Sequence, residues 1–272
     1  MNVHPHPALP IRPDRLKDVL KHAAAIVEGQ FREGARATAK ADGSPVTDAD
    51  VRSNEFLKNA LLELCPAAAW LSEESAADPS RLEKTWVWVV DPLDGTKEFT
   101  AGIPEFAISV GLVSGDRVVA GGVVNPVTGE GAVGGIGIGL DCWGCERQQR
   151  QADSLASARA SVSRTEMEDG TALGCLPLLG STCTVGSVAY KLLRVALGVD
   201  DLTFSVQHKS IWDVCGGIAL LEAVGKVYRR LDGKELAFGG LNTRIRSGAA
   251  AGNPALVEQF ILRARALQRQ RT

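Results

Sequence analysis

The chain has 272 residues, 45% of them apolar, and a formal net charge of −2. That length allows a substantial core in one large domain or two small ones, and the near-neutral charge excludes a global field that would recruit nucleic acid or an anionic membrane. The apolar runs are too short to cross a bilayer and residues 1–10 carry neither a basic nor an apolar targeting region, so the expectation is a soluble cytoplasmic protein.

His4-Pro5-His6-Pro7 reads as part of a disordered tail over residues 1–11, a metal site there being a weak alternative. From Asp14 to Arg32 the apolar residues Leu16, Val19, Leu20, Ala23, Val27 and Phe31 recur at helical spacing, which predicts a packing helix with one buried face. Lys40 to Pro45 has turn chemistry and reads as a loop. Thr47 followed by Asp50 resembles a capping box opening a second helix that runs to Leu64 before Pro66, and a helix dipole alone accounts for Asp48 and Asp50 in its first turn. Trp70-Leu71-Ser72 predicts a short strand leading into Glu73-Glu74, where adjacent side chains diverge and one glutamate at most reaches a common point. Asp78 to Arg81 reads as a loop.

The most informative stretch follows. Trp86-Val87-Trp88-Val89-Val90 is a continuous β-branched and aromatic run, the pattern of a buried strand, and it is expected to stop at Asp91-Pro92 because proline cannot donate to a sheet. Asp94-Gly95 then predicts a tight turn. Two carboxylates three residues apart can converge on one point with the Leu93 carbonyl, a set of hard oxygen ligands suited to Mg²⁺. Gly95 and Thr96 would offer backbone N–H groups to an anion beside it. An Asx-type turn closing the strand explains Asp94-Gly95 equally well but leaves Asp91 unexplained.

Phe106–Val113 and Val118–Val124 predict a hairpin around Ser114-Gly115-Asp116. The glycine-rich run from Gly131 to Gly139 lacks a Walker ending and reads as a β-meander with tight corners. Six cysteines in a chain with no secretion signal are expected to be reduced, and Cys142 and Cys145, despite their redox-like spacing, have no second pair to complete a zinc site. The polar, alanine-rich segment from Arg147 to Ala160 is the expected boundary between halves at 12–150 and 151–272. Further on, Gly186-Ser187 opens a helix ending at Gly198. Either its N–H groups serve a substrate or Ser187 is an N-cap. Trp212-Asp213 opens another helix with a face of Val214, Ile218, Leu221 and Glu222, and taken alone Asp213 reads as an N-cap aspartate.

Asp91-Pro92-Leu93-Asp94-Gly95-Thr96 resembles the first signature of the inositol monophosphatase superfamily, Ile211-Trp212-Asp213-Val214-Cys215-Gly216-Gly217 resembles the second, and Leu71-Ser72-Glu73-Glu74-Ser75 resembles the family's upstream acidic loop. The resemblance runs from about Leu16 to Phe260. It implies an α/β fold, the five-layered αβαβα sandwich of the sugar phosphatase class, and a Mg²⁺-dependent, lithium-sensitive phosphomonoesterase with its site between the halves. By the same resemblance Glu73, Asp91 and the Leu93 carbonyl hold one metal, and Asp91, Asp94 and Asp213 hold a second. Thr96 and Asp50 orient the attacking water with Glu73 in the catalytic set, and a third ion beside Glu73 and a homodimer are left open. Lys40 matches a family lysine on a loop.

Phosphate binding is expected from Gly95, Thr96, Gly186 and Ser187. Where inositol phosphatases carry a glutamate seven residues before the motif aspartate, this chain has Val206, followed by the polar, basic Gln207-His208-Lys209-Ser210. Lys209, or His208 beside it, suits a second phosphate, so the expected substrate is a 3'(2'),5'-bisphosphate nucleotide, with inositol 1-phosphate as the alternative. A non-catalytic binding protein that kept the fold is the alternative of another class, and the complete set of ligand positions argues against it. Leu140 to Arg147 departs from the family pattern.

Overall fold

The computed structural model describes residues 9–34, 37–39, 45–75 and 78–269. The tail at His4-Pro5-His6-Pro7 and the loop carrying Lys40 lie outside the described residues. The chain runs α1 (Pro13–Glu33), the short hairpin β1 (Ala37–Ala39) and β2 (Pro45–Thr47), then α2 (Asp48–Leu64). Six strands follow, β3 (Ala69–Ser72), β4 (Val87–Asp94), β5 (Ala107–Ser114), β6 (Arg117–Val124), β7 (Gly131–Gly135) and β8 (Gly139–Trp143), with α3 (Thr96–Thr100) between β4 and β5. They form one sheet in sequential order, β3 parallel to β4 and the rest antiparallel.

The remainder is β9 (Arg159–Ser163), α4 (Arg164–Glu168), β10 (Ser181–Val185), α5 (Val188–Ala196), β11 (Leu202–Ser205), β12 (Lys209–Ser210) and α6 (Ile211–Ala223). It closes with β13 (Val227–Arg230), β14 (Arg244–Ile245), β15 (Ala249–Gly252) and α7 (Pro254–Arg269). Its main sheet has the order β10-β9-β11-β15-β13, parallel among β10, β9 and β11 and antiparallel around β15, while β12 pairs with β14.

Packing stacks these elements as α1 and α2, the first sheet, α5 and α6, the second sheet, and α7. This is the expected five-layered sandwich. The middle layer explains why α6 does not have the one-sided face read from Val214, Ile218, Leu221 and Glu222. Every residue from Val214 to Leu221 is buried while Glu222 is exposed, because the helix has a sheet on each side. One apolar cluster accordingly mixes Leu71, Val89 and Val123 of the first sheet with Leu193, Leu220 and Ala251 of the later elements. The second sheet begins at Arg159, inside the polar segment read as the boundary between halves.

Two further local readings are revised. Asp78 to Arg81 is not an open loop: Ser80 N–H donates to the Asp78 side chain at 2.9 Å, capping a 3₁₀ turn over Pro79–Glu83. The β4 strand does not stop at Asp91-Pro92 but continues to Asp94, Asp91 facing Ser109 and Asp94 facing Ala107 across β5. Three steps on β4 match two on β5, so the ladder is bulged and Pro92 sits where no cross-strand donor is required.

Glycines set how closely α6 lies on the first sheet. A Cβ on Gly216 would stand 2.5 Å from the Gly122 carbonyl oxygen, 2.9 Å from Ser109 Oγ and 2.9 Å from the Val110 nitrogen, and one on Gly111 would meet Cys215 Sγ at 2.2 Å. Gly216→Ala is expected to lower stability by about 1–3 kcal/mol, because mainly backbone atoms would have to move. The exposed Gly29, in mid-helix with nothing within 4 Å, serves as the control, and Gly29→Ala should gain about 0.5–1 kcal/mol. Denaturant unfolding of both variants tests the pair.

Candidate active site

The site grows from the C-terminal ends of the neighbouring strands β3 and β4. Ser72 pairs with Val90 in parallel register and Glu73 N–H donates to Val90 O at 3.2 Å, which carries Glu73 to the flank of Asp91. The turn after β3 is fixed from α2: Ser72 Oγ donates to Asn54 Oδ1 at 2.7 Å, and Trp70 Nε1 donates to Ser75 Oγ at 3.2 Å. Glu74 follows this turn, its N–H donating to Ser72 Oγ at 3.2 Å.

Asp91 is 2% exposed and its Oδ1 accepts the Leu93 N–H at 3.0 Å. The Asx-type bond considered for Asp94 therefore belongs to Asp91, three residues earlier. Ser53 Oγ donates to Pro92 O at 3.2 Å and holds the bulge against α2. Gly95 then takes φ 102°, a left-handed conformation open to glycine, and a Cβ there would press on Phe106 Cβ at 3.1 Å. The five-residue α3 that follows is anchored by rings: Phe99 lies 5.5 Å from Phe31 and 5.1 Å from Phe106 between centroids.

Asp213 arrives from α6. Sequence reasoning places it at the N-cap, but the cap is Ser210: Asp213 is the third helical residue and its Oδ2 accepts the Ser210 N–H at 2.9 Å in a capping box. Ser109 fixes this helix start. It pairs with Asp91 across the β4–β5 ladder, donates its hydroxyl to Trp212 O at 3.0 Å and accepts from Gly216 N–H at 3.3 Å. Oxygens of Glu73, Asp91 and Asp213 consequently lie within 4.8 Å of one another. Neither Asn54 nor Ser109 stands out in the sequence, since single polar residues beside or within apolar segments carry no periodic signal.

Asp94 is not in that trio, though expected beside it. Its Oδ2 accepts the Ser187 hydroxyl at 2.5 Å and the Ala189 N–H at 2.6 Å, at the start of α5, and its charge still acts on Asp91 and Asp213. This resolves the two readings of Gly186-Ser187. Ser187 is an N-cap that accepts from Tyr190 N–H at 3.0 Å while donating to Asp94, and Gly186 N–H donates to Glu105 Oε2 at 3.0 Å. Both groups expected to meet substrate are engaged within the protein.

Thr96 and Asp50 are brought together. Thr96 Oγ1 lies 3.3 Å from Asp50 Oδ1 and 3.2 Å from Leu93 O, so its single proton serves two acceptors. Asp50 also closes the capping box of α2, its Oδ2 accepting Thr47 N–H at 2.7 Å and the Thr47 hydroxyl at 2.6 Å. One carboxylate thus caps α2 through Oδ2 and reaches Thr96 through Oδ1.

Lys209 is neither solvated nor free. It is 13% exposed and pairs at 3.4 Å with the wholly buried Glu166, which also accepts the Ser205 hydroxyl and, at 2.9 Å, the Val206 N–H. His208 beside it is exposed. A second lysine escapes the sequence reading because it lies in an amphipathic helix: Lys191 on α5 is 1% exposed and donates to Val185 O at 3.2 Å and Gly186 O at 3.0 Å.

Charge is the dominant property of the site. Burial, followed by Glu73, Asp94 and Asp213, pushes Asp91 well above the carboxylate range. Burial, then the Asp94 charge, pushes Asp213 up to about 8. Asp94 is also raised by burial, against the Ser187 and Ala189 hydrogen bonds and the Lys191 charge. Burial draws Lys191 down to about 8 against the attraction of Asp94. A converging set of carboxylates with too little positive charge, all oxygen donors, suits a hard divalent cation such as Mg²⁺.

A family model described as "Inositol monophosphatase family" matches residues 15–269. Among curated proteins, the fructose-1,6-bisphosphatase/inositol-1-monophosphatase of Aquifex aeolicus is 32% identical over 224 residues, 80% of each chain. The 3'(2'),5'-bisphosphate nucleotidase CysQ of Escherichia coli K12 is 33% identical over 207 residues, 73% of this chain and 81% of that one. The extragenic suppressor protein suhB from Bartonella henselae is a solved structure with a TM-score of 0.76 at 25% identity, covering 93% of this chain and 97% of its own.

The raised carboxylates set a pH dependence in the absence of metal. Asp213 moves from 3.8 to about 8, so the folded state holds a proton that the unfolded state releases. Its contribution is present below the lower value and is lost as pH rises through the upper one. Asp91 and Asp94 act in the same direction, and Lys191, lowered to about 8 from 10.5, acts oppositely but at higher pH. In EDTA, thermal stability is expected to fall between about pH 5 and about pH 8, and Mg²⁺ should restore it most at the upper end. Melts with and without Mg²⁺ test this, with Asp213→Asn expected to flatten the slope.

Proposed function

The chain belongs to the inositol monophosphatase family and is a phosphoric monoester hydrolase, and from that premise we propose that it acts with Mg²⁺ on nucleotide 3'(2'),5'-bisphosphates. Adenosine 3',5'-bisphosphate would give AMP and phosphate. The observation that carries the substrate reading is Lys209, held at the acidic site by the buried Glu166 and close enough for its charge to act on Asp213 and Lys191. Position 206, where a ring-gripping glutamate would favour inositol, is a valine whose N–H is bound by that same Glu166. The identities to the two kinds of relative, 32% and 33%, do not separate the substrates.

Glu73, Asp91 and Asp213 would hold Mg²⁺, with Asp94 and the Leu93 carbonyl at the same corner for a second ion. When bound, Mg²⁺ supplies charge neutralisation on the phosphoryl and leaving oxygens and promotes ionisation of water. The residues provide the orientation. The Thr96 proton is directed to Asp50 and Leu93 O, which leaves the hydroxyl lone pairs to accept from an attacking water. Asp94, fixed through one oxygen by Ser187 and Ala189, keeps its second oxygen for a cation. The turn at Gly95 and Thr96 would offer the first N–H groups of α3 to the phosphate. Lys209, paired with Glu166, would contact the second phosphate through its remaining N–H donors.

Asp94→Asn should lower turnover by orders of magnitude with little change in thermal melting, since the amide keeps an acceptor for Ser187 and Ala189 but removes the charge. Phosphate release measured at saturating Mg²⁺ tests it, and near wild-type turnover would remove Asp94 from the site. Lys209→Ala should reduce kcat/KM for adenosine 3',5'-bisphosphate at least about tenfold more than for inositol 1-phosphate, corresponding to one charge-assisted phosphate contact of ~1.5–3 kcal/mol. A wild-type preference for inositol 1-phosphate, or equal losses on both substrates, would replace the nucleotidase reading with that of an inositol phosphatase.

A further inference from the structure

The middle-layer helices have two ends, and only one faces the carboxylates. Ser187 and Asp213 stand at the N-terminal ends of α5 and α6. Past the C-terminal ends, where Ala196, Gly198, Val224 and Gly225 lie, a cleft of about 600 Å³ opens beneath the segment from Arg147 to Ala152. The nine and thirteen residues of the two helices separate it from the acidic site by roughly 14–20 Å.

Its lining has an excess of positive charge. Arg147, Arg150 and Lys226 face one carboxylate, Asp201. That carboxylate is 3% exposed and saturated: it accepts Arg150 Nε at 2.8 Å, the Ala152 N–H at 3.0 Å and the Arg159 N–H at 2.9 Å. Lys226 donates to Val195 O at 2.5 Å and so offsets the negative end of α5, while burial draws its proton affinity down, Asp201 and Asp200 opposing that and the Arg147 charge adding to it. Arg147 has no ion-pair partner among the described residues, and its exposed guanidinium stands at the cleft. The positive end of α7 faces the same space through Asn253, whose Oδ1 caps Ala255 N–H at 3.0 Å. The lining is largely polar, and its apolar part is formed by the half-buried Ala152 and Val224 with the buried Ala196 and Leu256 behind them.

The cleft volume lies within the range of small-molecule sites, and guanidinium groups beside apolar side chains recognise phosphate attached to an apolar body better than they recognise phosphate alone. We propose that this cleft is a second binding site, separate from the acidic site, for a small organic phosphate of nucleotide size. Arg147 and Arg150 meet its charge, and the half-buried Ala152 and Val224 support its body. Gln148 and Gln149 at the mouth add hydrogen-bonding capacity of either sense.

Calorimetric titration of the full chain in Mg²⁺ with ADP as the probe tests the site, with pyrophosphate as the comparison. ADP should bind the wild type and Asp213→Asn alike, more tightly than pyrophosphate, and Arg147→Glu should weaken it about tenfold or more. The exposed position of Arg147 makes that variant fold normally, which a thermal melt and an unchanged phosphatase turnover verify, and Arg147→Gln gives a milder second point. Absence of ADP binding at millimolar concentration, binding unaffected by Arg147→Glu, binding lost in Asp213→Asn, or pyrophosphate binding as tight as ADP would each overturn the proposal.

Discussion

Everything at the acidic site depends on how closely α6 is seated on the first sheet. The Ser109 hydroxyl bridges Trp212 O and Gly216 N–H while its backbone pairs with Asp91, so one residue of β5 fixes the strand and the helix that supply two of the three carboxylates. Such a bridge requires backbone-to-backbone proximity, which Gly111, Gly121 and Gly216 permit by having no Cβ to intrude. Gly217 does the same on the other side, where a Cβ would stand 2.4 Å from Leu192 Cβ of α5. The glycines of the second signature therefore work as spacers. Packing density is what brings a helix start into the carboxylate corner.

Concentrating acids in this way is costly to folding, and the surroundings limit the cost without cancelling it. Asp94 is held by Ser187 and Ala189, Asp213 by Ser210, and Asp50 by Thr47. Each acceptor is satisfied by a helix start, where N–H groups are available and the dipole favours negative charge. Lys191, buried on α5, contributes positive charge that acts on Asp94, though its own burial favours losing it. The remaining imbalance is visible in the raised Asp91 and Asp213, the state expected of a site whose resident cation carries the balancing charge. Stability and the charge of the site are thus linked through the same groups.

The two ends of the middle layer also divide the labour chemically. At the N-terminal ends of α5 and α6 the helices face carboxylates. At the C-terminal ends Lys226 and Gln148 bind the last carbonyls of α5, the latter by its N–H to Leu197 O at 2.7 Å. The segment from Leu140 to Arg147 leads directly into this second region. Cys142 and Cys145 lie there as free thiols, with burial pushing the Cys145 thiol up to about 11, which suits a packed, unreactive sulfur.

Much of this was legible from the chain alone because it is written in local chemistry. Apolar periodicity marked α1, a Thr47–Asp50 capping pair and Pro66 marked α2, apolar segments between turn residues marked the meander of β5 to β8, and the spacing of Asp91, Leu93 and Asp94 raised the expectation of hard oxygen ligands. Three separated motifs in order named the family and its layered fold. What the sequence could not contain was distance between remote parts. That Pro92 rides in a bulge and not at a strand end, that Asp94 answers to α5, that Lys209 is tied to Glu166, and that Ser109 seats α6 are consequences of which surfaces meet. A polar residue inside an apolar strand has the same local signature whether it faces solvent or bridges a helix. Only the tertiary contact, which supplies its partner, decides between them.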